Sequence, residues 1–449
     1  MKTSSHIGHV TELIDVIQKS SIPADRVVAR FFIERRYLGA RDRRVISEMT
    51  YAIFRHAYRI ERLIQETLER LTIAVPPVYP KIWMVAAFAV GIMNDPPEKT
   101  IEEIGSQWNV GNDAGVRIDP LVFCRMIESH RDLKFVQEDP TERLCVRYSF
   151  PRWMVETWIA QYGHEETEKL CEASHHQAPL TLRVNTLKTT IDDCQRRLAG
   201  EGIETTRTSL SPFGLVVPKR VNFSALNSFK EGLFEIQDEG SQIVSLLAGP
   251  QPSDIVVDAC AGGGGKSLHL AALMQNQGTI HAIDIGEQRL KELARRSKRA
   301  GADIIIQRLV DAEAPVADDL VLSAALVLVD APCSGSGTIR RNPLLKWRIT
   351  EAGVTGYIRM QRELLDRYSR CARVGGTVVY ATCSLFHREN EDVVIDFLKD
   401  HPEFVVQKSR PLLDRWGIGT LGGDEYLRLL PSVHGTDGYF AAALSRERV

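Results

Sequence analysis

Apolar residues recur along the first part of the chain at helical spacing. Val10, Leu13, Ile14 and Ile17 fall at i, i+3, i+4 and i+7, and Ile60, Leu63, Ile64 and Leu68 nearly repeat that interval. Each set therefore lines one face of an α-helix. Pro76-Pro77 and Pro96-Pro97 punctuate the region, no strand alternation interrupts it, and residues 1–135 read as a helical bundle. From residue 136 the texture changes. Residues 180–184 and 215–217 read as short strands, the second after the turn at Pro212-Phe213-Gly214, with helical spacing over 191–198 between them. Residues 136–235 thus read as a small α+β connecting module. Beyond residue 236, apolar runs end repeatedly in an acid or a turn, at 255–258, 280–284, 304–306, 326–330 and 378–382. Helical stretches at 267–274 and 288–300 separate the first three. Strands alternating with helices predict a parallel, doubly wound Rossmann-like sheet over 236–449. Such sheets bind ligands beyond the carboxyl ends of their strands. No internal repeat is visible.

Composition narrows the picture only a little. The chain has 449 residues, 44% hydrophobic and 25% charged, with a formal net charge of −2. It is long enough for several domains and not basic overall, so nucleic-acid affinity would have to come from local patches. Met1-Lys2-Thr3-Ser4-Ser5-His6 opens no secretory signal, and the apolar stretch 82–93 is too short to span a bilayer. A cytoplasmic protein without a membrane segment is expected. The eight cysteines are widely spaced, with no Cys-x-x-Cys pair, so reduced thiols and no metal site are expected. Arginines crowd residues 35–62, among them Arg43 and Arg44, but Asp42, Glu48 and Glu61 dilute them. A solvated helix face and a phosphate-binding face explain this stretch equally well.

The segment Asp258-Ala259-Cys260-Ala261-Gly262-Gly263-Gly264-Gly265-Lys266-Ser267 follows a buried strand and opens a helix. Glycines let backbone turn sharply and approach a ligand. A carboxylate such as Asp258 can hold a ligand amine. Asp284, ending the next strand, lies where an acid receives two ribose hydroxyls, and Asp311 after the third strand could bond an adenine amino group. A Walker loop would need glycine where Cys260 stands, and a dinucleotide fingerprint would need one at Ser267. Acids at successive strand ends favour an adenosyl cofactor such as S-adenosylmethionine (SAM).

Two further strand ends carry cysteine: Asp330-Ala331-Pro332-Cys333-Ser334-Gly335-Ser336-Gly337 and Tyr380-Ala381-Thr382-Cys383-Ser384. A buried cysteine is ordinarily inert packing, but two on the rim of one ligand site favour chemistry. Methylation of cytosine at carbon 5 needs such a group. A thiolate added at carbon 6 makes carbon 5 nucleophilic. A carboxyl group near ring nitrogen 3, where Asp330 is placed, would stabilise the developing charge. A second group must help remove the carbon 5 proton.

At these residues the chain resembles the Fmu/Sun family of RNA cytosine-5 methyltransferases, and within it the bacterial type acting on small-subunit ribosomal RNA. The resemblance covers nearly the whole chain. It rests on Asp-Ala-Pro-Cys-Ser-Gly, Ala-Thr-Cys-Ser and Asn390-Glu391, with Thr338-Ile339-Arg340-Arg341-Asn342-Pro343, Lys346-Trp347-Arg348, Gln237-Asp238-Glu239-Gly240-Ser241-Gln242, Arg183-Val184-Asn185-Thr186 and Asp437-Gly438-Tyr439-Phe440. The helical N-terminus, with Asp42-Arg43-Arg44 and Tyr51-Ala52-Ile53-Phe54-Arg55, is similar to a NusB-type RNA-binding domain. The resemblance implies that Cys383 is the nucleophile and that Cys333 assists release of product. It implies SAM contacts for Cys260, Ala261, Gly262, Gly263, Gly264, Gly265, Lys266, Asp284, Asp311 and Asp330. Gly262 and Gly263 stand where the family carries Ala-Pro, a departure that raises the entropy lost on ordering the loop and predicts weaker SAM binding. Arg340, Arg341, Lys346 and Arg348, interleaved with Trp347, suit a phosphate track with a stacking surface, though Trp347 could equally pack beneath the loop. The target cytosine would have to leave its stack. RNA is the expected partner and a monomer the expected state. An RNA-binding factor without chemistry and a nucleotide hydrolase are the competing readings; intact cysteines oppose the first and Cys260 the second.

Overall fold

The computed structural model describes residues 3–20, 22, 24–76, 78–108, 118–132, 139–218, 221–423 and 425–448. Pro77, and the boundary expected between 135 and 136, lie outside the described residues. The chain divides into two compact units, Met1–His175 with Asn342–Arg348, and His176–Arg341 with Ile349–Val449. The helical region thus continues past 135, through Pro140–Tyr148, Arg152–Tyr162 and His164–His175. Its last helices escaped the sequence reading because polar residues interrupt their buried stripes; His164–His175 buries Thr167, Leu170, Cys171 and Ser174.

The first unit is helical because its apolar stripes demand it. Thr3–Lys19 buries Ile7, Val10, Leu13, Ile14 and Ile17, and Ala57–Arg70 buries Ile60, Leu63, Ile64 and Leu68. Lys81–Gly91 is buried on nearly all sides, as a helix apolar around its circumference must be. Its Trp83 packs ring against ring with Trp108 and Phe123. Asp119 and Asp139 cap the helices that follow, each with proline in the first turn. No helix among the described residues is long and apolar enough to cross a membrane.

In the second unit, β1 (Leu180–Val184), β2 (Thr206–Arg207), β3 (Gly214–Val217) and β4 (Phe234–Ile236) form an antiparallel sheet in the order β2-β3-β1-β4. Helix Ile191–Gly200, capped by Thr190, contributes Cys194 and Leu198 to its core. The larger sheet comprises β5 (Ile255–Asp258), β6 (Thr279–Asp284), β7 (Ile305–Leu309), β8 (Ala324–Asp330), β9 (Ala372–Thr382), β10 (Phe404–Gln407), β11 (Tyr426–Leu429) and β12 (Tyr439–Arg446). The order is β10-β12-β9-β8-β5-β6-β7, with β11 also on β12. Strands β5 to β9 pair in parallel, as the alternating pattern predicts; β12 is antiparallel to β9, β10 and β11. The sheet is therefore mixed. After β5 the chain winds outward through β6 and β7, then returns to add β8 and β9 on the other side. The carboxyl ends of β5 and β8 flank the resulting switch point, where such sheets take their ligands.

Candidate functional site

Asp258 ends β5 and is 1% exposed. Ser267 donates its hydroxyl to Asp258 Oδ2 at 2.6 Å, while Oδ1 has no partner. Burial, reinforced by the nearby Asp330, pushes this carboxyl up to about 7 despite the Ser267 bond. An orphaned acceptor in that setting calls for a cation or a donor from a ligand. The loop beyond turns through Gly262 at φ +55° and Gly264 at φ +81°. A Cβ on Gly264 would stand 2.0 Å from Leu293 Cδ1, so only glycine fits there. Gly262 donates its amide to Asp284 Oδ2 at 2.8 Å, and Arg296 donates to the Gly263 carbonyl at 2.6 Å. Asp284 Oδ1 accepts from the Gly286 amide and from Arg289.

A cleft of about 270 Å³ opens beside this loop, lined by Ala259, Cys260, Asp284, Val310, Pro332 and Tyr368 among others. Cys260 and Asp284 thus share one cavity wall. Asp311 is exposed, and its neighbours Val310 and Ala312 line the cleft instead. The orphaned Oδ1 of Asp258 and this half-apolar cleft fit the charged and the aromatic ends of an adenosyl amino acid.

Lys266, on the helix that opens after the glycines, is buried rather than solvated. Its Nζ lies 2.6 Å from Asp330 Oδ2 and 5.3 Å from the centre of the Tyr439 ring. Burial alone would lower its pKa, but the Asp330 carboxylate reverses that and holds the ammonium above its ordinary value. Asp330 keeps a 29% exposed side chain, so it can pair with Lys266 and still meet a ligand.

Cys333 and Cys383 face each other with sulfurs 3.4 Å apart. Both are partly exposed, whereas Cys124, Cys145, Cys171, Cys194 and Cys371 are buried. The hydrogen bond with Cys383, then burial, then the charge of Glu389 push the Cys333 thiol well above its ordinary range. The two turns are tied together. Gly337 donates its amide to the Cys383 carbonyl at 2.9 Å, and Leu385 donates its own to Ser336 Oγ at 2.8 Å. Thr382 Oγ1 donates to Asn390 Oδ1, whose amide nitrogen donates to the Ser384 carbonyl. The sequence reading missed Glu389, Gln361 and the roles of Asn390 and Tyr439. The signal was present in Glu389-Asn390-Glu391, six residues past Cys383.

The expected phosphate track is a correction. Arg340 is 6% exposed and bonds Asp437 Oδ1 at 2.8 Å and the Gly435 carbonyl. Arg341 pairs with Asp437 and Asp238. Lys346 is fully buried. Its Nζ donates to the Tyr148 carbonyl at 2.8 Å and sits 3.8 Å over the Phe150 ring, and burial drives its pKa well below the ordinary value. Trp347 stacks on Tyr58 with planes 9° apart and donates to the Phe54 carbonyl. Arg348 donates to the carbonyls of Ile17, Ser20 and Ile22, closing the end of helix Thr3–Lys19. Arg340, Lys346 and Trp347 thus hold the protein to itself, whereas Arg341 stays exposed beside its two acids. Arg43 is half-buried and donates to the Leu38 carbonyl, while Arg44 is exposed beside Glu48.

A mixed Rossmann-like sheet with a glycine loop, strand-end acids and an adjoining two-thiol centre defines a SAM-dependent methyltransferase. Residues 245–445 match a family model described as 16S rRNA methyltransferase RsmB/F, and residues 150–224 match the ferredoxin-like domain described for RsmF/B-like methyltransferases. The chain is 31% identical over 423 residues to a probable ribosomal RNA small subunit methyltransferase B of Synechocystis, covering 92% of this chain and 93% of that one. It is 33% identical over 310 residues to the probable counterpart in Bacillus subtilis, covering 69% of each. The crystal structure of PH0851 superposes with a TM-score of 0.77 at 29% identity, covering 98% of both chains. The chain belongs to the RsmB/F family.

Proposed function

We propose that this enzyme methylates carbon 5 of a cytosine in small-subunit ribosomal RNA, with Cys383 as nucleophile and Cys333 as its partner in product release. The observation that carries the reading is the pair of sulfurs 3.4 Å apart beside Asp330. SAM, when bound, supplies the electrophilic methyl group. Asp258 would hold its ammonium, Asp284 its ribose, and Cys260, Ala261, Gly262, Gly263, Gly264, Gly265 and Lys266 would form the wall around it.

The Cys383 thiolate adds to carbon 6 of the ring, and carbon 5 would then take the methyl group as the sulfonium carbon–sulfur bond breaks and S-adenosylhomocysteine leaves. Asp330, held by Lys266, stabilises the charge developing at ring nitrogen 3. The carbon 5 proton must leave before the sulfur–carbon bond breaks and the thiolate returns. Before the reaction, the hydrogen bond with Cys383 helps keep Cys333 a thiol. Once the Cys383 sulfur is bonded to carbon, that restraint is gone. Cys333 then loses its own proton to solvent more readily, and the resulting thiolate accepts the carbon 5 proton. Arg44 and Arg341, the exposed members of the expected basic set, can meet phosphate.

Bisulfite sequencing of total RNA from cells with and without the gene tests the substrate. One small-subunit cytosine should lose protection, restored by wild type and not by Cys383→Ala. Cys333→Ala should accumulate a covalent protein–RNA adduct that Cys383→Ala lacks. An adduct lost in Cys333→Ala would reverse the two roles.

A further inference from the structure

Glu389 is fully buried between the two cysteine turns. Its Oε1 accepts the backbone amide of Ser334 at 2.8 Å and the Gln361 side-chain amide at 3.0 Å; its Oε2 accepts the hydroxyls of Ser334 and Ser384. Ser334 follows Cys333 and Ser384 follows Cys383, so one carboxyl group grips the residue after each sulfur. Gln361 extends the grip by donating to the Pro332 carbonyl, on the other side of Cys333. Glu389 is itself anchored, since Tyr380 of β9 donates its hydroxyl to the Glu389 carbonyl at 2.6 Å. We propose that Glu389 is a positioning residue that clamps the Pro-Cys and Thr-Cys turns together and so fixes the separation of the two reacting sulfurs. It makes no hydrogen bond to either sulfur; its grip passes through Ser334 and Ser384, while its charge also reaches the Cys333 thiol. The inference rests on the two-thiol reading of the centre.

The donor pattern says which substitution is tolerated. Both partners of Oε1 are amide N–H groups, which cannot accept. Both partners of Oε2 are hydroxyls, which can turn to accept. In Glu389→Gln the new amide nitrogen can face the hydroxyls, and all four contacts survive. Glu389→Ala removes them all. Glu389→Asp is one methylene shorter and cannot span both turns.

Phenylarsine oxide reads the geometry without any turnover. Its arsenic forms bonds to two thiol sulfurs with loss of one water, and captures them tightly only when they lie side by side. Full-length wild type should bind it, and Cys383→Ser and Cys333→Ser should not. Glu389→Ala should weaken capture and lower kcat each by about 100-fold, the scale of an ångström's misplacement, with KM for RNA and the SAM Kd within about twofold. Glu389→Gln should bring both back to within about tenfold of wild type. A folded Glu389→Ala that captures the arsenical as wild type does, with kcat within about threefold, overturns the proposal. So does a Glu389→Gln as damaged as Glu389→Ala, because charge and not the clamp would then be at issue. If circular dichroism shows Glu389→Ala unfolded, Glu389→Asp decides by the same two readouts. Capture depends only on where the sulfurs lie, so a failure of Cys383 as nucleophile would appear in the adduct assay and leave capture intact.

Discussion

Burial holds the Asp258 carboxyl at about 7, above its ordinary 3.8, and that fixes the sign of two pH effects. Between these values the folded protein keeps a proton that the unfolded chain has lost. Stability without cofactor should therefore fall as pH rises through that range and level off above about 7, as chemical denaturation at stepped pH would show. A cofactor ammonium needs the carboxylate, so SAM affinity should tighten up to about pH 7 and weaken by up to about tenfold per unit below it. Asp258→Asn should flatten that profile, measured by calorimetry. The glycine departure also resolves residue by residue. Gly263→Pro should tighten SAM binding by stiffening the loop, with a gain of about 0.4–1 kcal/mol. Gly262→Ala works against it, because φ is +55° there and a side chain costs about 1–2 kcal/mol in that region. A SAM dissociation constant unmoved by Gly263→Pro would remove entropy as the reason. At this scale the cysteines were legible because each ends an apolar strand. The burial of Lys346 and Arg340 was not. A cation facing a carbonyl or a distant acid is written with the same letter as one facing water.

Elements lie where their periodicities predict, though some ends differ: the run at 378–382 is the last part of β9, and that at 304–306 overlaps only the start of β7. β5 begins and ends at the residues the apolar run predicts, and helix Glu287–Ala300 differs from its pattern by one position. The strands β10, β11 and β12 were not read from the sequence, since their alternation is masked by runs such as Phe440-Ala441-Ala442-Ala443-Leu444, buried throughout. The short helix Leu345–Arg348 inverted its expected role, because its cations serve carbonyls. Arg348→Ala should cost about 2 kcal/mol by freeing three carbonyls at a helix end, seen as a lower Tm. It should leave the salt dependence of RNA affinity unchanged, where loss of a phosphate contact would reduce the slope by about 0.7–0.9.

At the scale of the molecule, the switch point between β5 and β8 gathers the acids and the cysteines, which stand far apart in sequence, on one rim. The alternation of strands and helices made that rim predictable; the side-chain bonds that shape it were not. The division into units was also hidden, because the core of the helical unit includes Leu344, with Trp347 against it, from a part of the chain otherwise belonging to the other unit. A fragment ending at His175 would lack the ring that stacks on Tyr58 and the ammonium that meets the Tyr148 carbonyl. Its Tm should rise when a peptide of residues 342–348 is added. The same fact bears on how the protein is made. A ribosome releases His175 long before it has joined Lys346 and Trp347, so the helical unit waits, its last piece not yet translated, while the glycine loop and Cys333 emerge. Birth order and packing order diverge here: the places that Lys346 and Trp347 fill beside Tyr148 and Tyr58 stay open until both residues are translated.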